Sequence, residues 1–150
     1  MKIISYDPAY REDFKDLNLA WLKKYFYVEP HDEEVLGNPE KYILSSGGNI
    51  FFAKEADTIL GTVALMYMED GVFELTKMAV TPVAQGKKIG QQLMEHTIQY
   101  AKQQGYTSLV LFSNRKLENA IYIYSKFGFK EIPIEASPYS RGDIKMELKL

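Results

Sequence analysis

The class of fold is indicated most clearly by a junction between a strand and a helix. It reads VFELTKMAVTPVAQGKKIGQQLMEHTIQYAKQQG, residues 72–105. The run Val72–Val80 predicts a strand, and the apolar residues of Ile89–Gln103 recur at helical spacing. Between the two lies QGKKIG, residues 85–90, which holds two glycines and two lysines. A helix start exposes unpaired backbone N–H groups and the positive end of the helix dipole, and glycine lets a ligand approach the backbone closely. The junction therefore predicts an anion-binding site.

The bulk composition bounds the class of protein. The 150 residues suit a single domain, and shares of 46% hydrophobic and 25% charged residues are ordinary for a globular chain. A net charge of −2 does not indicate general binding of nucleic acid, which requires an excess of basic residues. The absence of cysteine excludes disulfides, thiolate metal sites and a cysteine nucleophile. The N-terminus turns polar at once, and no apolar run approaches the ~20 residues of a membrane helix. We therefore expect a soluble, cytoplasmic protein that binds neither nucleic acid nor membrane.

The rest of the chain predicts a mixed, mostly antiparallel sheet. A first strand, KIISY, precedes a helix that Asp7 caps and Pro8 starts, and two short helical pieces divided at Gly37 follow. Three strands joined by short turns then form a meander, and the final strand, DIKMELKL, alternates cleanly between apolar and polar residues. The predicted order is β-α-(α)-β-β-β-α-β-α-β-β, an α/β fold of about seven strands with helices on both faces. The first helix is predicted to bury Phe14, Leu17, Trp21 and Tyr25.

The glycine-bearing loop narrows the choice of nucleotide-type site. The Rossmann pattern G-x-G-x-x-G and the P-loop pattern G-x-x-x-x-G-K-[ST] are both absent. QGKKIG instead resembles the acyl-CoA pyrophosphate loop of the GNAT family of N-acetyltransferases, whose pattern is Q/R-x-x-G-x-G/A. Lys88 stands where that pattern has its first glycine, a departure because glycine takes left-handed backbone more readily. The charges of Lys87 and Lys88 add to the backbone cradle.

The resemblance to the GNAT family runs along the whole chain, residues 1–150, as one domain. GTVALMYM, the junction itself and NAIYIYSKFGFKE occur in the family's order and spacing. The family's ending, A-x-x-x-Y-x-x-x-G-F, is matched by Ala120, Tyr124, Gly128 and Phe129. The segment WLKKYFYVEPHDEEVLGNPEKYIL resembles a bacterial subgroup, some members of which are fused to MarR-type DNA-binding domains.

The resemblance implies that acetyl-CoA is the acetyl donor and that no metal takes part. In this family the donor lies in a cleft where two parallel neighbouring strands splay apart, here Val72–Val80 and residues 108–112. Unpaired backbone groups of the first strand then pair with the pantetheine arm. The residues implied to contact coenzyme A are Met78, Ala79, Val80, Gln85, Gly86, Lys87, Lys88, Ile89, Gly90, Gln91, Asn114, Asn119 and Tyr124. The family asparagine falls at Leu117, so neither asparagine is a clean match.

Direct attack of an amine on the thioester requires three chemical roles. For the base we predict Glu74, because strict strand alternation would place it on one face with Thr76, Met78 and Val80; the alternative is a glutamate paired with a lysine. Family geometry points to the backbone N–H of Met78 for the oxyanion and to Tyr124 as the acid beside the departing sulfur.

Acceptor recognition in this family comes from the first two helices, their connecting loop and the last two strands. The residues that these regions offer are Trp21, Tyr25, Tyr27, Glu29, His31, Asp32, Tyr139 and Arg141. Trp21 also suits the core, His31 also suits a plain loop position, and Arg141 could hold a carboxylate bidentately. The acceptor is predicted to be a primary amine of a small or amino-acid-like molecule, with a protein acceptor and a non-catalytic acyl-CoA-binding module as alternatives. The alternating terminal strand, unless another element covers it, further predicts an exposed sheet edge and a homodimer.

Overall fold

Strands and helices follow one another in the predicted order. The computed structural model describes residues 1–135 and 137–150, and within them it holds a seven-stranded sheet and four α-helices. The strands are β1 (Lys2–Ser5), β2 (Asn49–Glu55), β3 (Thr58–Glu69), β4 (Val72–Val80), β5 (Ser108–Ser113), β6 (Lys130–Ile132) and β7 (Ile144–Lys149). The helices are α1 (Arg11–Tyr25), α2 (Pro30–Gly37), α3 (Ile89–Gln103) and α4 (Glu118–Lys126), with short turns at Pro8–Tyr10, Glu40–Leu44 and Pro82–Ala84. The predicted fold class is confirmed.

The sheet separates two hydrophobic cores. Its strand order is β1-β2-β3-β4-β5-β7-β6, and every neighbouring pair is antiparallel except β4 and β5. The core on one face, under α3 and α4, contains Leu93, Met94 and Phe129. The core on the other face, under α1 and α2, contains Phe14 and Val35. Within the described residues no helix has the length and apolarity required to cross a membrane.

A β-bulge interrupts the alternation of β4. The register runs from Thr62 opposite Ala79 directly to Ala64 opposite Thr76, so two residues of β4 face one residue of β3. Lys77 takes left-handed backbone with φ of 55° at this point. Thr76 and Lys77 therefore both face Tyr139, whereas Met78 packs with the core under α3. The predicted sharing of one face by Glu74, Thr76, Met78 and Val80 is wrong, because the bulge shifts the alternation by one residue.

The terminal strand lies inside the sheet. β7 pairs with β5 along one side and with β6 along the other. Its alternation is as predicted, since Ile144 and Met146 are buried in the core under α3 and α4. The short strand β6 returns beside β7 and covers its outer edge at residues 145–147, so β7 is not the edge strand of the sheet there. The homodimer stays a prediction, and the terminal strand no longer supports it.

Candidate functional site

A cavity of about 680 Å³ opens where β4 and β5 part. The two strands pair from Val72 opposite Ser108 to Glu74 opposite Val110, and β4 then continues for six residues beside the cavity. Because the ladder ends there, the second half of β4 has its β5-facing backbone groups available to a ligand. The cavity wall includes Trp21, Tyr25, Phe26, Asp32, Thr76, Lys77, Met78, Ala79, Val80, Gln85, Phe112, Asn114, Asn119, Tyr124, Tyr139 and Arg141.

The loop before α3 adopts the conformation of an anion cradle. Gly86 and Lys88 have φ angles of 88° and 58°, and α3 begins at Ile89 directly after the left-handed Lys88. Lys88 therefore takes the conformation for which the family pattern uses glycine, at a cost of roughly 1 kcal/mol. A Cβ atom on Gly90 would lie 3.8 Å from Met78 Sδ, so Gly90 faces the end of β4. The predicted stretch 86–91 thus adjoins the cavity wall at Gln85.

Two of the predicted coenzyme A contacts have different surroundings. Tyr124 lines the cavity and packs against Phe129, and burial raises the pKa of its hydroxyl to about 12. It therefore keeps its proton at neutral pH. Asn114 also lines the cavity, but its Nδ2 donates to the backbone carbonyl of Arg141 at 2.8 Å and its Oδ1 accepts from the Lys116 N–H. Asn114 thereby holds the loop after β5 to the loop before β7.

A cluster of buried polar groups forms the opposite wall. We call Glu29, Asp32, Glu74, Lys77, Tyr139 and Arg141 the buried charge cluster. Tyr139 is its centre. The hydroxyl of Tyr139 donates to Glu74 Oε2 at 2.9 Å and accepts from Lys77 Nζ at 3.1 Å. Thr76 Oγ1 lies 3.1 Å from the same oxygen.

Arg141 completes the cluster from the loop before β7. Its Nη1 donates to Glu29 Oε2 and to Asp32 Oδ2, each at 2.7 Å, and its Nη2 donates to Asp32 Oδ1 at 3.0 Å. Glu29 also accepts from the backbone N–H of Ser140, and it caps α2 together with Asp32. Arg141 was predicted to hold a substrate carboxylate; the structure places it in the cavity wall with carboxylates of its own chain as partners.

The pKa values of the cluster move in opposite directions. Burial lowers the pKa of Lys77, although Asp32 and Glu74 act against it. Burial alone would raise the pKa of Asp32, but the Arg141 hydrogen bond and the Lys77 charge together lower it. Burial and the charge of Glu74 raise the pKa of Tyr139 above its usual value. The cluster therefore holds Asp32 ionised and Tyr139 protonated, and it disfavours the charged form of Lys77.

The remaining predicted residues divide into two groups. Trp21 and Tyr25 line the cavity, with ring centroids 5.3 Å apart, so both lie on the ligand side of α1. His31 packs its ring edge against Tyr139 at 5.3 Å, behind the wall. Glu74 is 6% exposed and, among the described residues, reaches the cavity through the Tyr139 hydroxyl.

Sequence reasoning missed Lys77, the residue with the most unusual setting. The sequence does contain a signal for it, because Lys77 is the single basic residue in the otherwise largely apolar run Val72–Val80. Phe26 was also missed as a wall residue. It lies directly after α1, in an aromatic stretch where composition alone does not tell a wall residue from a solvated one.

The chain is similar to known acetyltransferases. Residues 46–131 match the Acetyltransferase (GNAT) domain family. An uncharacterized N-acetyltransferase of Schizosaccharomyces pombe is 32% identical over 127 residues, which cover 82% of this chain and 78% of that protein. N-acetyltransferase 8 of Rattus norvegicus is 26% identical over 97 residues, 61% of this chain and 44% of that protein, so the chain spans less than half of its length.

Solved structures agree with these sequence matches. A GNAT-family acetyltransferase from Staphylococcus aureus Mu50 has a TM-score of 0.87 at 27% identity, over 99% of this chain and 98% of that one. PaiA N-acetyltransferase from Thermoplasma acidophilum, crystallised in complex with coenzyme A, has a TM-score of 0.74 at 21% identity over 100% of both chains and shares the fold. The family match over more than half of the chain, the yeast relative and the parted strands lead to one conclusion: this chain belongs to the GNAT family of acetyltransferases.

Proposed function

We propose that this GNAT acetyltransferase moves the acetyl group of acetyl-CoA directly to the primary amine of a small acceptor. The observation that carries the proposal is the end of the β4–β5 ladder at Glu74, beside a loop in which Gly86 and Lys88 are left-handed. The free backbone edge suits the amide groups of pantetheine, and the start of α3 suits a pyrophosphate. The residues implied by the family loop, 85–91, supply that start.

The bulge in β4 supports the proposed oxyanion site. Bulges re-aim the backbone, and this one lies between Thr76 and Met78 at the cavity wall. In the proposal the N–H of Met78 meets the thioester oxygen as negative charge develops on it. The acceptor nitrogen forms a bond to the thioester carbon, the carbon–sulfur bond breaks, and Tyr124 gives its proton to the departing sulfur. An ammonium acceptor loses one proton before its nitrogen attacks and a second as the amide forms. The second proton replaces the one that Tyr124 gave to the sulfur, so the net products are the amide, the CoA thiol and one released proton.

Contacts across the acceptor end of the cavity support a small acceptor. Lys116 Nζ donates to the backbone carbonyl of Tyr25 at 3.0 Å and lies 4.1 Å from the centre of the Phe26 ring. Tyr27 and Ser140 share a hydrogen bond between their hydroxyl groups. These contacts join α1 and the residues after it to two loops, and they restrict the entry of a folded chain. Trp21, Tyr25 and Phe26 give the acceptor an aromatic surface.

The charge of the cluster supports an ammonium acceptor. Three carboxylates, Glu29, Asp32 and Glu74, stand against two cations, Lys77 and Arg141, which leaves an excess of one negative charge when all are ionised. A cationic acceptor would compensate this charge beside the thioester.

The test of the proposed function is release of free CoA thiol from acetyl-CoA. We would incubate the protein with benzylamine, 2-phenylethylamine, tryptamine, spermidine, lysine and a lysine-containing peptide. We expect turnover with at least one small amine at a higher kcat/KM than with the peptide. Binding of acetyl-CoA without thiol release from any amine would favour the non-catalytic module, and faster turnover of the peptide would favour a protein acceptor.

Replacing Gly90 by aspartate is expected to weaken acetyl-CoA binding at least tenfold, roughly 1.4 kcal/mol. The new carboxylate would stand at the start of α3, where it repels a pyrophosphate but stabilises the helix dipole. Isothermal titration measures the affinity, and thermal unfolding should show no loss of stability. Gly90→Ala is the matched control, because its Cβ would make ordinary 3.8 Å contacts with Met78 and Val80. Unchanged affinity in a folded Gly90→Asp protein would contradict the site.

Replacing Tyr124 by phenylalanine is expected to lower kcat about tenfold while acetyl-CoA affinity stays the same. The change removes the proton proposed for the departing sulfur, and a hydrogen bond of about 1–1.5 kcal/mol corresponds to such a factor. Tyr122→Phe is the matched control, since Tyr122 lies on the same helix and is 68% exposed. Equal kcat values for both variants would remove Tyr124 from the mechanism.

A further inference from the structure

Lys77 has three properties that a purely structural lysine rarely combines. Its side chain is 3% exposed, its backbone is left-handed with φ of 55°, and it lines the cavity where the strands part. Left-handed backbone costs a non-glycine residue roughly 1 kcal/mol or more, and a buried ammonium is costlier still. Strain and burial of this kind concentrate at functional sites.

Lys77 Nζ keeps hydrogen-bond capacity for a ligand at the cavity wall. The hydroxyl of Tyr139 has one proton and two lone pairs, and its three contacts with Glu74, Lys77 and Thr76 use all of them. Lys77 Nζ donates to Asp32 and to Tyr139, which leaves one of its positions for a third group. That position holds a proton when the lysine is charged and a lone pair when it is neutral.

Burial disfavours the charged form of Lys77 more strongly than the neighbouring charges favour it. Both oxygens of Asp32 accept from Arg141, so the Asp32 charge is already partly compensated and attracts Lys77 less strongly. The Arg141 guanidinium itself repels a second cation, and burial lowers the pKa of Lys77 further. Glu74 acts in the opposite direction through Tyr139, while Glu29 is occupied by Arg141 and Ser140.

We propose that Lys77 takes the proton that the acceptor ammonium must lose before its nitrogen attacks the thioester, an inference that rests on the proposed acetyl transfer. The N–H bond of the ammonium breaks, a new N–H bond forms at Lys77 Nζ, and the acceptor becomes a neutral amine with a free electron pair. Tyr139 and Asp32 hold the Nζ in place, and Glu74 orients Tyr139. Glu74 is in this scheme a positioning residue and not the direct base. Proton return to solvent follows departure of the product.

The acid–base state of Lys77 can be measured without turnover. We would label lysine with 13C at Cε, follow the signals by NMR between pH 6 and 11, and assign Lys77 by its absence from Lys77→Met. We expect the Lys77 signal to titrate at lower pH than the exposed lysine signals. A Lys77 signal that titrates together with the exposed lysines would overturn the proposal, whatever the enzyme turns over.

The kinetic test uses the most active amine of the panel described above. Lys77→Met should lower kcat/KM roughly 10²-fold at pH 7 and keep acetyl-CoA affinity, and the deficit should shrink at high pH, where free amine needs no base.

Lys77→Arg keeps the positive charge beside Asp32 but stays protonated, so it should be as inactive as Lys77→Met. Substantial activity of the arginine variant would make Lys77 a structural cation and overturn the proposal. Lys102→Met, at the exposed end of α3, is the control. Turnover by Lys77→Met within threefold of wild type would also overturn the proposal, whereas an inactive wild type that binds acetyl-CoA would instead refute the proposed function.

Discussion

Replacing Arg141 by methionine is expected to lower the free energy of unfolding at pH 7 by about 3–5 kcal/mol. The guanidinium makes three hydrogen bonds to Glu29 and Asp32, and the Asp32 side chain is 0% exposed. Methionine keeps an apolar chain of similar shape but loses the guanidinium carbon that lies 4.5 Å from the centre of the Tyr139 ring, and it leaves a buried carboxylate short of its main partner. At about 2–4 °C per kcal/mol for a chain of this size, the midpoint of thermal unfolding should fall by roughly 10 °C.

The loss of unfolding free energy in Arg141→Met should become smaller as the pH falls. The pKa values of Asp32 and Glu29 are lowered from their ordinary 3.8 and 4.5, so the stability they contribute is complete above those values. It disappears as the pH falls through the lowered values. The difference between wild type and Arg141→Met should therefore be largest at pH 7 and smaller at pH 3.

Arg115→Met is the matched control for Arg141→Met. Arg115 pairs with Glu131, but the side chains are 57% and 50% exposed, so the pair should contribute at most about 1 kcal/mol. Chemical denaturation of wild type and both variants at the two pH values completes the measurement. Equal losses in the two variants at pH 7 would show that Arg141 is no more than a surface cation.

The sequence predicts elements well where the signal is local. The bounds of β4 and α3 agree with the predicted Val72–Val80 and Ile89–Gln103, because alternation, helical spacing and glycine placement act within a few residues. The parting of β4 and β5 was expected from the family resemblance. Local pattern, in contrast, cannot place β7 between two strands, since that position depends on where β6 returns.

The buried charge cluster could not be predicted from local sequence patterns, for two physical reasons. Its ion pairs join residues far apart in sequence, with Asp32 and Arg141 separated by 109 positions. The orientation of Lys77 depends on a one-residue bulge, and no glycine marks the left-handed position. Strict alternation would have turned Lys77 away from Thr76, so one backbone torsion decides which side chains line the cavity. The sequence predicts Glu74 as the base from its place in the strand, but the contact of Glu74 with the cavity wall depends on the Tyr139 hydroxyl.

Replacing Tyr139 by phenylalanine is expected to lower kcat/KM about 10²-fold at pH 7. The variant loses the hydroxyl that separates Lys77 from Glu74, and Glu74 is left as a buried carboxylate without its donor. Lys77 is the cation nearest to that carboxylate, so direct pairing would raise the pKa of Lys77. The acidic limb of the kcat/KM profile should then move to higher pH. Isothermal titration with acetyl-CoA should give an unchanged affinity, because the contacts of 85–91 remain.

Glu74→Gln separates the positioning role of Glu74 from the direct role predicted from sequence. The negative charge of Glu74 raises the pKa of Lys77, so its removal should lower that pKa and move the acidic limb to lower pH, opposite to Tyr139→Phe. The amide oxygen of glutamine can still accept from Tyr139, and the loss in rate should be smaller than for Tyr139→Phe. If Glu74 took the proton itself, Glu74→Gln would abolish the acidic limb, and the rate would fall at least as far as in Tyr139→Phe. The direction in which the limb moves therefore decides which of the two side chains receives the proton.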